Sequence, residues 1–149
     1  STMALYDWLL QQPLEQFAYN ESTYKTMGDK EIEIKCLFRQ PEIVRRALLE
    51  TERKHLEYGQ IEERIDQLKN VWPKLRNRLQ NHLLPTTKLK YLLEAANAPI
   101  RAHQIGISEE HLKRTIRAAR FIRSRYTILD LLDQTGLLDK ALSEAQLPL

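Results

Sequence analysis

The chain is poor in the residues on which most recognisable functions depend. Its single cysteine, Cys36, excludes an internal disulfide, and with no partner thiol or flanking basic pattern it reads as a half-buried structural thiol in a reducing cytoplasm. Four isolated glycines cannot build a nucleotide-binding fingerprint or a phosphate loop, and they are too few for a hairpin-rich sheet. No apolar run approaches the roughly 20 residues of a membrane span, and no basic segment leads into an apolar block as in a signal peptide. The histidines His55, His82, His103 and His111 never fall four residues apart, the spacing that sets two imidazoles on one helix face, so they read as surface or capping residues. The pairs Glu62-Glu63 and Glu109-Glu110 lack a convergent partner and read as solvated helix faces rather than acid–base dyads.

What is present is helical punctuation. A length of 149 residues suffices for one domain with one core, and 42% hydrophobic with 29% charged residues is a globular balance. Leu5, Trp8 and Leu9 share a helix face that Pro13 interrupts, and this helix opens in apolar sequence without a good cap. Asn20 to Asp29 reads as a loop. Glu31-Ile32-Glu33-Ile34 alternates as a strand would, but Asp29 as a cap favours a helix through Phe38. Pro41 opens a helix that Gly59 ends or bends. Ile61, Ile65 and Leu68 begin another, Pro73 demands a kink or a fresh start, and Leu75, Leu79 and Leu83 continue the stripe. Leu89, Leu92 and Leu93 mark a short helix ending near Asn97. Ser108 caps a helix that buries Leu112, Ile116, Ala119 and Ile122. Thr127 with Asp130 forms a capping box, Gly136 is a stop, and Leu137 to Ala145 make a last short helix. The expectation is an all-α, multi-helix bundle spanning 1–149 as one helical domain, with Leu112, Ile116, Ile122, Leu129 and Leu132 in its core.

Charge offers one ambiguous feature. Lys113, Arg117 and Arg120 fall in a narrow arc of a helix, flanked by Arg114, Arg123 and Arg125, and Val71 to Leu93 holds five Lys/Arg and no acid. A nucleic-acid surface follows from charge alone. Aromatic interleaving is thin and Glu109 and Glu110 dilute the field, so a solvated face or a face against another domain is the better reading and nucleic acid is unlikely as a partner.

Ala98-Pro99, Ile105-Gly106-Ile107-Ser108 and Ile122-Arg123-Ser124-Arg125-Tyr126-Thr127-Ile128-Leu129-Asp130-Leu131-Leu132 together resemble the C-terminal end of the sn-glycerol-1-phosphate dehydrogenases, within the iron-containing alcohol dehydrogenase and dehydroquinate synthase-like superfamily. The similarity is closest from Leu68 to Leu142, where Trp72, Leu75 and Leu79 match the approach helix, and weaker from Ser1 to Gln67, where Ala4-Leu5-Tyr6 is the familiar element. None of these motifs is catalytic. The resemblance implies the helical C-terminal part of a longer two-domain enzyme that reduces dihydroxyacetone phosphate with NAD(P) and a divalent metal (zinc, nickel or iron). It also implies a nucleotide-binding domain upstream, and a metal held by an aspartate and two histidines, one of them in a His-Gly turn.

This chain has no His-Gly and no glycine loop, so no residue inherits a catalytic, cofactor-binding or metal-binding role, and the chain alone is expected to be inactive. Arg123, Arg125 and Tyr126 remain as structural residues or, for Arg125, a contact to a substrate phosphate. The apolar start around Leu5, Trp8 and Leu9 would lose its cover without the missing domain, which predicts self-association. The rival reading is a stand-alone basic helical module that binds nucleic acid or an acidic protein.

Overall fold

A computed structural model of the chain describes residues 1–13, 16–19 and 21–148. Among these residues it contains eight α-helices, two 3-10 turns and no strand, as the helical punctuation requires. The helices are α1 (Thr2–Leu9), α2 (Met27–Leu37), α3 (Pro41–Glu52), α4 (Tyr58–His82), α5 (Thr86–Ala95), α6 (Glu109–Ala119), α7 (Ile128–Gln134) and α8 (Leu138–Glu144). The 3-10 turns are Glu21–Thr23 and Ala102–Ile105. No described helix is long and apolar enough to cross a membrane.

Local chemistry sets the boundaries. The Ser108 hydroxyl accepts the His111 N–H at 3.2 Å, and Pro41 begins α3 where its missing donor is harmless. Thr127 and Asp130 form the expected capping box of α7, and Gly136 follows that helix in the left-handed region at φ 69°. α5 ends just before Asn97, which is itself left-handed at φ 53°.

Other boundaries differ from the sequence expectation. The segment expected as a loop from Asn20 to Asp29 already turns helical at Met27, because Thr26 rather than Asp29 is the cap. Asp29 is the reciprocal partner, its Oδ2 accepting the Thr26 N–H at 2.9 Å. Asn20 lies outside the described residues. The alternation over Glu31 to Ile34 is helical: residues two apart point to opposite sides of a helix, so Ile34 is buried and Ile32 exposed. Gly59 terminates nothing, since α3 stops at Glu52 and Gly59 sits in the first turn of α4 behind the reciprocal pair Glu57 and Gln60. Pro73 lies within an uninterrupted α4. Pro73 is exposed, and its missing N–H leaves the Lys69 carbonyl without its helical donor.

The main core joins α1, the middle of α4, α7 and α8 through Leu5, Leu9, Phe17, Ile65, Leu132 and Leu142. Phe17 meets Trp72 edge to face, with ring centroids 4.9 Å apart. Trp8, on the same side of α1, donates its indole N–H to Glu144 Oε2 at 3.1 Å and ties α1 to α8. Leu5, Trp8 and Leu9 are therefore all buried by the chain's own helices. The apolar patch expected to drive self-association does not exist at α1.

A second, smaller core of Ile34, Ala47 and Phe121 holds α2 and α3 against the end of α6. Ile116 and Leu132 are buried as expected, while Leu112 and Leu129 pack at the core's edge. Ile122 is not in the core but 48% exposed. α6 ends at Ala119, the helical register lapses, and Phe121 takes the inward place. Cys36 is exposed rather than half-buried, on the outer side of α2.

Candidate functional site

The densest polar arrangement lies where α2, the end of α3, the end of α6 and α7 meet. The two capping boxes create it. By starting α2 at Met27, Thr26 sends Lys30 and Glu33, three residues apart, along one face. By starting α7 at Ile128, Thr127 fixes Asp130, whose Oδ2 accepts both the Thr127 N–H (2.8 Å) and its hydroxyl (2.9 Å). The other oxygen of Asp130 accepts Lys54 Nζ at 2.6 Å, and the same ammonium donates to the Arg120 carbonyl. One aspartate thus caps a helix and anchors the α3–α4 linker to it.

Arg120 is the centre of the second half of this network. Its side chain is 2% exposed and lies 2.5 Å from Glu33 Oε1 and 3.3 Å from Asp133 Oδ1. Lys25 completes the group at 2.8 Å from Asp133 and 3.3 Å from Glu33. The guanidinium also stacks 4.3 Å over the Phe121 ring. Lys30 meets His55, Nζ to Nδ1 at 2.9 Å. An ammonium has only hydrogens to offer, so Nδ1 carries the lone pair and His55 is neutral here. Burial lowers the pKa of Lys30, an effect that Asp133 and Asp130 oppose and that Lys54 and Arg120 reinforce. His55 is likewise held below its ordinary value by burial first and by Lys30 second.

This geometry revises the basic arc expected on α6. Lys113 pairs with Glu109 at 2.6 Å, Arg117 with Asp139 at 2.6 Å, and Arg120 is buried among carboxylates. The three do not form an open cationic face in solvent. Arg114 reaches back across α2 to the carbonyls of Cys36 (2.8 Å) and Leu37 (3.2 Å), completing the end of that helix.

The structure separates the expected site residues. Arg123 and Arg125 lie exposed in the α6–α7 linker, and neither forms an ion pair among the described residues. Tyr126 instead turns to α4 and α7: its hydroxyl donates to Gln134 Oε1 at 2.8 Å, and the Arg64 guanidinium sits 4.5 Å over its ring. Burial pushes the Tyr126 phenol well above its ordinary pKa, with Arg64 opposing and Asp130 adding to the shift.

Lys30, Lys54, Glu33 and Asp133 were not candidates on sequence grounds. The Thr127-Asp130 spacing was the one visible signal, and it announced the cap without the lysine that joins it.

A cleft of about 530 Å³ runs between α1, the C-terminal half of α4, the start of α5 and the residues after α8. Its carboxylates are already engaged in holding helices together. Asp7 Oδ2 accepts the Thr86 N–H at 2.9 Å, and Glu144 accepts from Trp8. Among the described residues no three His, Cys, Asp or Glu side chains converge as metal ligands. His82 bonds the Arg78 carbonyl of its own helix, and His111 occupies the first turn of α6. Comparison with known family models, characterised proteins and solved structures finds no match to this chain.

Proposed function

We propose that this chain is the helical part of a two-domain, NAD(P)- and metal-dependent glycerol-1-phosphate dehydrogenase that reduces dihydroxyacetone phosphate. The observation that supports the reading is that the run from Ile122 to Leu132, which carries the resemblance, forms one continuous linker and capped helix. Its Thr127 and Asp130 have definite tasks at the junction of four helices. An all-helical bundle is also the architecture that the resemblance implies for this part of the enzyme.

The residues described do not fit a nicotinamide or a catalytic metal: no glycine loop and no ligand cluster is available for either. On this reading an upstream nucleotide-binding domain would hold the nicotinamide, an aspartate and two histidines upstream of Ser1 would hold the metal in the cleft, and this chain would supply the packed helical wall. The gene upstream of Ser1 provides the test. A glycine-rich loop followed by an aspartate and two histidines, the second in a His-Gly turn, is expected. An upstream sequence without them contradicts the assignment.

A second reading rests on the acid-free stretch from Val71 to Leu93. Lys74, Arg76, Arg78 and Lys88 are exposed on α4 and α5, a surface suited to nucleic acid or an acidic protein. Binding to duplex DNA at nanomolar affinity near physiological salt, falling steeply as salt rises, would favour this rival over the dehydrogenase.

A further inference from the structure

Among the described residues α5 is the one α-helix with no buried residue. Its inner side carries Leu89 and Leu93, both half-buried, and it packs on α1. Its outer side carries Lys88, Tyr91, Leu92 and Ala95, all exposed and spaced as one stripe of a helix. Tyr91 is 68% exposed and Leu92 46%, and Leu84, in the turn that leads into the helix, is 43% exposed. Apolar side chains grouped on one face, unlike single ones scattered over a surface, mark a contact site.

Charge narrows what can cover them. From Val71 to Leu93 the cations Lys74, Arg76, Arg78, Lys88 and Lys90 stand without a carboxylate, and none of the five forms an ion pair among the described residues. Arg76 shares the neighbouring cleft with Asp7 and Glu144, and Glu94 in the last turn is the one acid of α5. The other four cations draw in an anionic surface.

Three such surfaces differ in what they ask of the face. Single-stranded nucleic acid stacks its bases on aromatic rings, but Trp72 is buried, Tyr91 is the one exposed ring of the stretch, and Leu84 and Leu92 have no task there. A groove in an acidic protein, closing over Tyr91 and Leu92, would also enclose Lys88, which projects between them, and would need a buried carboxylate to offset its desolvation. A bilayer interface accepts all three: the apolar groups enter it while the lysine stem lies beside them and lifts its ammonium to the lipid phosphates.

We propose that the outer face of α5 is a peripheral docking site for a bilayer rich in anionic lipid, with Tyr91 and Leu92 inserted at the interface and Lys88 on the headgroup phosphates. Docking of this kind does not depend on the reaction assigned to the whole protein.

Cosedimentation of the chain with vesicles tests the face. Binding to vesicles of phosphatidylglycerol and phosphatidylcholine in equal parts is expected, with little binding to phosphatidylcholine alone, and it should weaken as salt rises. Tyr91→Ser combined with Leu92→Ser should lower the partition coefficient about tenfold, and Lys88→Gln about fivefold. All three side chains are exposed, so none of these changes removes a buried contact. Tyr91→Trp reports insertion directly: its emission should shift to the blue with the mixed vesicles, while Trp8 and Trp72 are already buried. No cosedimentation with the mixed vesicles, or cosedimentation that the double variant leaves unchanged, overturns the proposal. So does tighter binding to duplex DNA or to polyglutamate than to the mixed vesicles at the same salt, which would give the face to an acidic polymer.

Discussion

Replacing Lys54 by methionine removes the ammonium that joins the α3–α4 linker to α7 while keeping most of the side-chain bulk. Two acceptors lose their donor: Asp130 Oδ1, at 2.6 Å, and the Arg120 carbonyl. Both ends of the ion pair are about nine-tenths buried, so solvent can do little to replace what is lost. Removing one partner of a buried pair costs about 3–5 kcal/mol. Asp130 keeps its two contacts from Thr127 on the other oxygen, which places Lys54→Met near the lower end, about 3 kcal/mol. For a chain of this size that corresponds to a fall in Tm of roughly 6–12 °C. Urea unfolding followed by circular dichroism gives the number directly, with an unchanged m-value as the sign that compactness is preserved. The double variant with Asp130→Asn should recover part of the loss, since the stranded carboxylate charge is gone. A cost below about 1 kcal/mol, the level of an exposed pair, would refute the claim that this contact organises the junction.

Two neighbouring residues should respond in opposite ways. Phe121→Ala, in the small core, is expected to cost about 3–5 kcal/mol, whereas Ile122→Ser on the exposed side should stay within about 0.5 kcal/mol; equal effects in urea unfolding would mean that the chain beyond Ala119 is misplaced. The His55 imidazole should titrate below its ordinary value of 6.5, and by two-dimensional NMR its midpoint should rise in Lys30→Met as the nearby positive charge disappears. Between that lowered midpoint and 6.5 the unfolded chain binds more protons than the folded one. This contribution to stability is therefore complete above pH 6.5 and is lost as pH falls through the folded midpoint. A midpoint at or above 6.5 would contradict the Lys30–His55 contact.

Capping made much of the fold legible in the sequence. Ser108, Thr127 with Asp130, and Gly136 each act within a few residues of themselves, so the signal and its structural effect coincide. Thr26 is harder to read as the cap because Asp29 also suits that place, and only the backbone shows which of the two residues fills it. Ile122 is exposed for a similar reason: helical spacing from Ile116 continues smoothly in the letters but stops in space at Ala119. The polar junction was less legible still. Lys54 and Asp130 are 76 residues apart, and Arg120 and Glu33 are 87 apart. No periodicity announces such pairs, and Arg120 looked like one more exposed cation in a basic arc. Tyr126 stays 39% exposed, yet it is tied to its neighbours by the Gln134 bond and the Arg64 guanidinium over its ring, contacts that neither Arg123 nor Arg125 makes.

The assignment of this chain to a dehydrogenase is tested most directly by the product of the whole gene, assayed for oxidation of NADH and NADPH in the presence of dihydroxyacetone phosphate with zinc or nickel supplied. Turnover that depends on dihydroxyacetone phosphate is predicted for the full-length product, and none for residues 1–149 alone. A full-length product that carries an intact upstream nucleotide-binding domain and still leaves dihydroxyacetone phosphate unreduced would contradict the account.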